Sequence, residues 1–302
     1  METLGNYAYI AIKKHFKKII KHEVGVLENQ NTEELHQMRV GMRRLRSSLD
    51  CYSLSLVLPS LCCVSKISNL AAVLGELRDL DVMDQYIADY IRKIPPCEAK
   101  QLKKIVRKIK HKRYRAFKKI EELLSSSFYS KFKKAFQQWL KSPKYSSFGR
   151  LEIKDILPEL LIPKLSNFFL YPTWYLPDIN FEDLKKSGDY LNSLHSLRKE
   201  AKKLRYILEL FTEISNDAIN SYIQEVVQIQ EILGAIQDDF ILRKFLAQNL
   251  GEEIFELTPN LNQILQLHSL QNWQLWQVQA AKFRSRTFRQ DFYMLLLENP
   301  LN

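Results

Sequence analysis

Two copies of one pattern decide how this sequence folds: HQMRVGMRRLRSSLD at residues 36–50 and HSLRKEAKKLRYILE at residues 195–209. Both begin with histidine, carry basic residues at matching positions and start 159 residues apart. A shorter pair, LGELRD at 74–79 and LGAIQD at 233–238, has the same separation. Two matches at one separation indicate an internal repeat.

The repeat and the helical spacing of apolar residues predict an all-α protein. With only 8 glycines and 10 prolines, turns are sparse, which favours long helices. We expect two tandem four-helix-bundle-like halves related by pseudo-two-fold symmetry. The first bundle is predicted at 1–141, a proline-bearing connecting segment at 142–180 and the second bundle at 181–302. Helices are predicted near 4–28, 32–57, 60–92, 98–124, 128–141, 151–170, 181–213, 217–248 and 259–297.

Each repeated helix carries an apolar stripe beside a basic face. At 100° per residue, the stripes predicted to face the core are Leu35, Met38, Met42, Leu45 and Leu49 in the first copy, and Leu194, Leu197, Ala201, Leu204 and Leu208 in the second. The adjoining arc holds His36, Arg39, Arg43, Arg46 and Asp50, and in the second copy His195, Arg198, Lys202, Arg205 and Glu209. Arg44 falls on a different face of the helix from this arc.

Crowding of like charges on one face destabilises a helix by a few tenths of a kcal/mol per pair. A solvated charged surface is one interpretation. Because one acid, Asp50, faces three arginines, a bound polyvalent anion is the other, since arginine binds phosphate oxygens through paired N–H donors. On this view, changing Arg39, Arg43, Arg198 and Lys202 to Glu should leave the melting temperature unchanged or higher.

Two further segments add positive charge. Residues 100–119 contain eleven Lys and Arg and no acid. Their candidate anion-binding residues are Arg107, His111, Arg113, Arg115 and Lys118, and the last helix adds Lys282, Arg284, Arg286 and Arg289. Arg113 falls within the apolar arc of its helix. It is predicted either to point inward, where its charge needs a partner or a wet cavity that Arg284 would also line, or to reach solvent through a bend of the helix.

Composition limits the class of protein. The net charge of +11 indicates an anionic partner. Four cysteines without a C-x-x-C pair, and a start without a signal-peptide pattern, lead us to expect a cytoplasmic protein. The longest apolar run is too short to span a bilayer, and we expect no membrane partner. Because no nucleophile elbow, glycine-rich phosphate loop or H-E-x-x-H occurs, we expect no enzyme and no cofactor.

Metal binding is a weaker alternative. His36 and His195 would need further converging ligands, and the neighbouring arginines repel cations. They are interpreted either as phosphate contacts or as structural residues at a bundle seam. Asp79, Asp81 and Asp84 resemble a Mg²⁺ cluster, but only Asp79 recurs, as Asp238. We therefore interpret Asp79 and Asp238 as partners of arginines that fix helix packing.

The segments EELHQMRVGMRRLRSSLD, LGELRDLDV and LHSLRKEAKKLRYILE resemble the CHAD family, the conserved histidine α-helical domain. The resemblance covers nearly the whole chain. It implies two four-helix bundles with a basic central surface that binds inorganic polyphosphate, and a location at polyphosphate granules. Some relatives are fused to a triphosphatase domain of tunnel type, and because this sequence has no strand-rich segment, we do not expect that activity here.

By this resemblance the polyphosphate ligands are His36, Arg39, Arg43, Arg44 and Arg46, with His195, Arg198, Lys202, Lys203 and Arg205 in the second copy. The alternative function is a general polyanion-binding or nucleic-acid-binding helical protein. Bases are normally held on aromatic platforms, and the basic arcs offer only Tyr206. We therefore expect no specific nucleic acid as a partner.

Overall fold

The computed structural model describes residues 3–212 and 217–298. Every regular element in these ranges is a helix, and the two β-bridges, Thr3 with Glu152 and Leu56 with Tyr145, are isolated. The predicted all-α class is confirmed. The chain divides into two compact units, Met1–Ile153 (unit 1) and Lys154–Asn302 (unit 2). Within the described ranges, no helix is long and apolar enough to cross a membrane.

Unit 1 is built around the first histidine helix. Its helices are α1 (Leu4–Lys21), α2 (Glu23–Glu28), α3 (Thr32–Cys51), α4 (Val64–Ile91), α5 (Pro96–Ser125) and α6 (Ser127–Lys141). Helix α3 packs between α1 and α4, and α5 packs on α4. Asn31 starts α3, because its side chain accepts a hydrogen bond from the Glu33 amide at 2.9 Å. The acidic first turn of α3 is favoured by the helix dipole.

Unit 2 contains the second histidine helix. Its helices are α7 (Leu157–Phe169), α8 (Phe181–Lys186), α9 (Gly188–Leu208), α10 (Asp217–Leu250), α11 (Ile254–Leu257), α12 (Pro259–Arg284) and α13 (Arg286–Glu298). Helix α9 packs against α10 and α7, and α12 packs on α10. Both predicted apolar stripes are confirmed: all ten residues on α3 and α9 are at most 3% exposed. These stripes place the basic arcs at the edges of the buried seams.

Several predicted helices are interrupted. The helix predicted near 4–28 breaks at His22, and those predicted near 181–213 and 259–297 break at Ser187 and Ser285. Each serine hydroxyl accepts a hydrogen bond from an amide in the first turn of the next helix, so these serines start new helices inside continuous apolar patterns.

The predicted connecting segment, 142–180, contributes to both units. Its first part belongs to unit 1, where the Leu4 amide donates to the Leu151 carbonyl and the Val57 amide to the Lys144 carbonyl. Its second part belongs to unit 2, where α7 buries Leu161 and Leu165. The two parts of this segment therefore pack on the cores of different units, because burial of apolar side chains is favourable. The unit boundary lies within the segment.

Candidate functional site

Unit 1 has a groove between α3 and α4 that carries three of the predicted arginines. We call it the basic groove. Its volume is about 520 Å³, and its lining is Arg39, Met42, Arg43, Arg46, Ser68, Ala71, Ala72, Gly75, Glu76 and Asp79. The arginines come from α3, and the small residues that form the floor come from α4. Small floor residues leave room above α4, so an anion can approach the guanidinium groups.

Arg39 is fixed on the floor of the basic groove. Its Nη1 donates to the Ala71 carbonyl at 3.0 Å. A methyl group at Gly75 would lie 2.7 Å from the same nitrogen, so the glycine is needed for this approach. Burial lowers the pKa of Arg39 and the Asp79 carboxylate raises it, while the guanidinium stays charged. Arg39 is thus a packing residue as well as a source of charge.

Unit 2 repeats this arrangement with its own residues. A methyl group at Gly234 would lie 3.0 Å from Arg198 Nη2, and Arg198 Nη1 lies 3.8 Å from Asp238 Oδ1. The glycine follows its arginine by the same number of residues as Gly75 follows Arg39. The interpretation of Asp79 and Asp238 as partners of arginines is therefore confirmed. The repeat in sequence is a repeat of one helix-packing contact.

The two repeated histidines are half-buried beside positive charge. Burial is the main factor lowering the pKa of His36, with Arg78 next, and burial followed by Lys199 lowers that of His195. Both imidazoles are therefore neutral near pH 7. Within residues 3–212 and 217–298, the buried Nδ1 of His195 has no hydrogen-bond partner. A neutral imidazole still offers one N–H to a phosphate oxygen.

The acids and histidines considered as metal ligands lie apart from one another. In the described part of the chain, no group of three or more His, Cys, Asp or Glu side chains is arranged to hold a metal ion. Asp81, one of the acids considered above, is buried against Arg113 rather than grouped with Asp79.

The structure adds Arg78 to the basic surface of unit 1. Burial is the main factor lowering the pKa of both His36 and Arg39, and the charge of Arg78 lowers both further. Sequence analysis missed it, although it lies within the repeated LGELRD segment. Arg44, in contrast, is on the α1 side of α3, where its charge lowers the pKa of His15 and Lys18.

The predicted basic residues of α5 have different environments. Arg107, His111 and Arg115 are exposed, and Lys118 forms a 2.6 Å ion pair with Glu121. Arg113 points inward, one of its two predicted positions. Its Nε donates to Asp81 Oδ1 at 2.7 Å and its Nη2 to Asn29 Oδ1 at 2.8 Å.

Most predicted basic residues of unit 2 already have acidic or aromatic partners. The Arg205 Nε donates to Glu209 Oε1 at 2.6 Å, and Lys203 pairs with Glu200 at 2.7 Å. The remaining contacts are Lys282 with Glu225, Arg284 with Asp178, and Arg289 with the Phe283 carbonyl and the Tyr175 hydroxyl. Lys202 lies on α9, and Arg286 is exposed. Many basic side chains of unit 2 are therefore already paired with other residues of the protein.

Comparisons with known proteins identify relatives of the chain. The family model of the CHAD domain matches residues 10–247. The crystal structure of the CHAD domain from the plant Ricinus communis is similar, with a TM-score of 0.59 and 22% identity over 99% of this chain and 94% of that chain. PptA from Streptomyces chartreusis has a TM-score of 0.64 and 12% identity over 91% of this chain and 100% of that one. No curated protein matches.

Proposed function

Because the chain belongs to the CHAD domain family, we propose that it binds inorganic polyphosphate and catalyses no reaction on it. The main contact is the basic groove of unit 1, and the basic arc of α9 in unit 2 supplies a second one. A role at polyphosphate granules is part of this proposal. Arginine and lysine stabilise phosphate charge but do not activate water, so the residues of the groove suit binding rather than hydrolysis.

One observation carries the proposal. Arg43 and Arg46 line the same groove as the buried Arg39. Arg46 makes no ion pair with any residue in 3–212 or 217–298, whereas its counterpart Arg205 pairs with Glu209. The Glu76 carboxylate at the groove is bound by Lys119 at 2.7 Å. Positive charge in the groove is therefore incompletely neutralised, as a polyanion site requires.

Selectivity for polyphosphate over nucleic acid is expected from the same lining. No aromatic side chain is among the described residues that line the basic groove. Tyr206, the aromatic residue beside the basic arc of α9, is only 6% exposed. Bases would therefore find no stacking platform on either surface. Adjacent arginines one helical turn apart, about 5–6 Å between side-chain origins, suit closely spaced phosphates.

Competition binding tests the function directly. Long-chain polyphosphate should bind more tightly than single-stranded DNA of equal charge at roughly 0.15 M salt, with a steep salt dependence. The double variant Arg43→Glu, Arg46→Glu should lose affinity for polyphosphate by at least about tenfold, or 1.4 kcal/mol. The matched control is Lys131→Glu, Lys134→Glu, which changes the charge equally at exposed positions of α6.

Two outcomes would contradict this proposal. Equal losses in the two variants would mean that net charge rather than the groove determines binding. Ready displacement of polyphosphate by DNA of equal charge would favour the alternative of a general polyanion-binding or nucleic-acid-binding protein.

A further inference from the structure

Helix α1 carries a second basic surface that the family motif does not include. We call Lys13, Lys14, Lys17, Lys18 and Lys21 the lysine row. Together with Lys141 of α6, the row lines a groove of about 1240 Å³ whose apolar lining is Tyr9, Phe16, Ile20 and Leu140. At a rise of 1.5 Å per residue, the row extends over about 12 Å of helix. It can therefore contact several charges of a linear ligand.

Three of the five lysines in the row form no ion pair with the described part of the chain. Lys13, Lys17 and Lys21 are exposed, and none forms an ion pair with a residue in the described ranges. Some lysines elsewhere in unit 1 are paired: Lys133 pairs with Glu23 at 2.6 Å, and Lys119 pairs with Glu76 at 2.7 Å. These three lysines are therefore available to an anion from solution.

The lysine row is electrostatically continuous with α3. A methyl group at Gly41 would lie 2.9 Å from Ile19 Cγ1, so α1 and α3 approach closely at this glycine. Beside this contact, Arg44 lowers the pKa of Lys18, after burial as the main factor. Lys18 also contributes to lowering the pKa of His36. Positive charge therefore extends from the basic groove across α3 to α1.

This surface is specific to unit 1. At the repeat separation of 159, the five positions of the row fall on Pro172, Thr173, Leu176, Pro177 and Asn180, none of which is basic. Gly41, which allows the close packing on α1, corresponds to Glu200. Glu200 instead pairs with Lys203 on its own helix. The row is therefore an addition to the repeated arrangement and not part of it.

We propose that the lysine row binds a second segment of the same polyphosphate chain that occupies the basic groove, which makes affinity depend on chain length. This inference rests on the proposed function. The groove is lined by Arg39, Arg43 and Arg46 of α3, whereas Gln37 lines the groove of the row and Gly41 faces α1. At 100° per residue, these two sets of α3 residues lie on opposite sides of the helix. A helix with its side chains is about 10–12 Å across, so three linked phosphates cannot reach both surfaces. A long chain can.

The test separates the two segments by ligand length. The variant Lys13→Gln, Lys17→Gln, Lys21→Gln should weaken binding of long-chain polyphosphate about tenfold and leave tripolyphosphate within twofold of wild type. Its dependence of log K on log salt should fall by about 2, for three lost contacts. The matched control is Lys93→Gln, Lys131→Gln, Lys134→Gln, three exposed lysines of unit 1 outside both surfaces. Circular dichroism establishes that both variants are folded.

Four other outcomes would each contradict a specific part of this proposal. If long-chain affinity falls no further than in the control variant, the row does not bind the chain. If the row variant loses as much affinity for tripolyphosphate as for long-chain polyphosphate, the groove and the row form one short site. The two-segment proposal is then wrong. Polyglutamate binding at the row as tightly as polyphosphate of equal charge would assign the row to acidic proteins. If wild-type protein binds no polyphosphate of any length, the proposed function itself fails, and this inference with it.

Discussion

The ion pair between Asp81 and Arg113 gives the sharpest test of how unit 1 is held together. The Asp81 side chain is only 2% exposed and that of Arg113 is 25% exposed, with 2.7 Å between Oδ1 and Nε. Removing one partner of a buried pair costs about 3–5 kcal/mol, because the other charge stays buried without compensation. Since water reaches part of Arg113, we expect Arg113→Met to cost about 3 kcal/mol at pH 7, the lower end of that range.

The pH dependence follows from the pKa of Asp81. Burial raises this pKa, and Arg113 opposes the increase through its hydrogen bond and its charge. Without Arg113 the pKa should rise further. The folded state then favours the protonated acid, so the variant loses stability as the pH rises from below the unfolded value through the folded pKa. The cost of Arg113→Met should therefore be smaller near pH 4 than at pH 7.

Urea unfolding at both pH values measures these effects, with controls available in the same two helices. Lys119 and Glu76 also join α5 to α4, but their side chains are 56% and 48% exposed, so Lys119→Met should cost no more than about 1 kcal/mol. The double variant Asp81→Leu, Arg113→Met should recover much of the lost stability, because no buried charge remains. If Arg113→Met costs as little as Lys119→Met, the pair is not the buried contact described above.

Three other changes test separate parts of unit 1. Gly75→Ala should displace the Arg39 guanidinium and weaken polyphosphate binding several-fold in a titration, while the free energy of unfolding changes by less than about 1 kcal/mol because alanine favours the helix. His15→Leu should remove a loss of stability at acid pH, measured by urea unfolding: burial lowers the pKa of His15 from 6.5 to about 4, so its stabilisation is complete above pH 6.5 and lost as the pH falls toward 4. Cys63 should react with a thiol reagent before Cys62, because hydrogen bonds lower the pKa of Cys63 whereas burial raises that of Cys62 to about 12.

The chain supplies controls for these three predictions. Gly188→Ala adds a methyl group where no other atom lies within 4 Å, so it should leave polyphosphate binding unchanged. Ser65→Ala removes the side-chain hydrogen bond to Cys63 and should slow its labelling. For His15→Leu, equal acid-induced losses in the variant and in wild type would show that other groups determine the pH dependence.

Apolar spacing was sufficient to predict the helical class and the buried stripes of α3 and α9. It also placed Arg113 within an apolar arc, but the choice between an inward position and a bent helix that reaches solvent required the contact with Asp81. The breaks at Ser187 and Ser285 were not predicted, since apolar spacing continues through both serines. Which i,i+4 acids form ion pairs also required coordinates: Glu209 pairs with Arg205, whereas Arg46 forms no ion pair with a described residue.

Part of the candidate site was predicted from the internal repeat and not from apolar spacing. The residues of the basic groove were found because they repeat, and repetition marks both packing and binding residues alike. Arg78 was missed because its counterpart in the second copy is Gln237. The lysine row was not predicted as a site, because its position beside α3 depends on the close approach of the two helices at Gly41. The positions of Arg78 and of the lysine row relative to α3 depend on packing between helices, which the apolar pattern of one helix does not contain.

The structure gives several reasons why α3 tolerates closely spaced arginines. Arg39 is stabilised by the Ala71 carbonyl and by Asp79, and Arg44 faces α1 instead of the groove. Of the groove arginines, Arg46 forms no ion pair with a described residue. Changing Arg39 or Arg198 to Glu should therefore lower the melting temperature, contrary to the expectation from sequence, because each guanidinium packs against a glycine of the next helix. Changing Arg43 and Arg46 to Glu should weaken the proposed polyphosphate binding while leaving the contacts of Arg39 with Gly75 and of Arg198 with Gly234 in place. A thermal melt of the two pairs of variants without ligand distinguishes these roles: similar melting temperatures would show that Arg39 and Arg198 are ligand residues only.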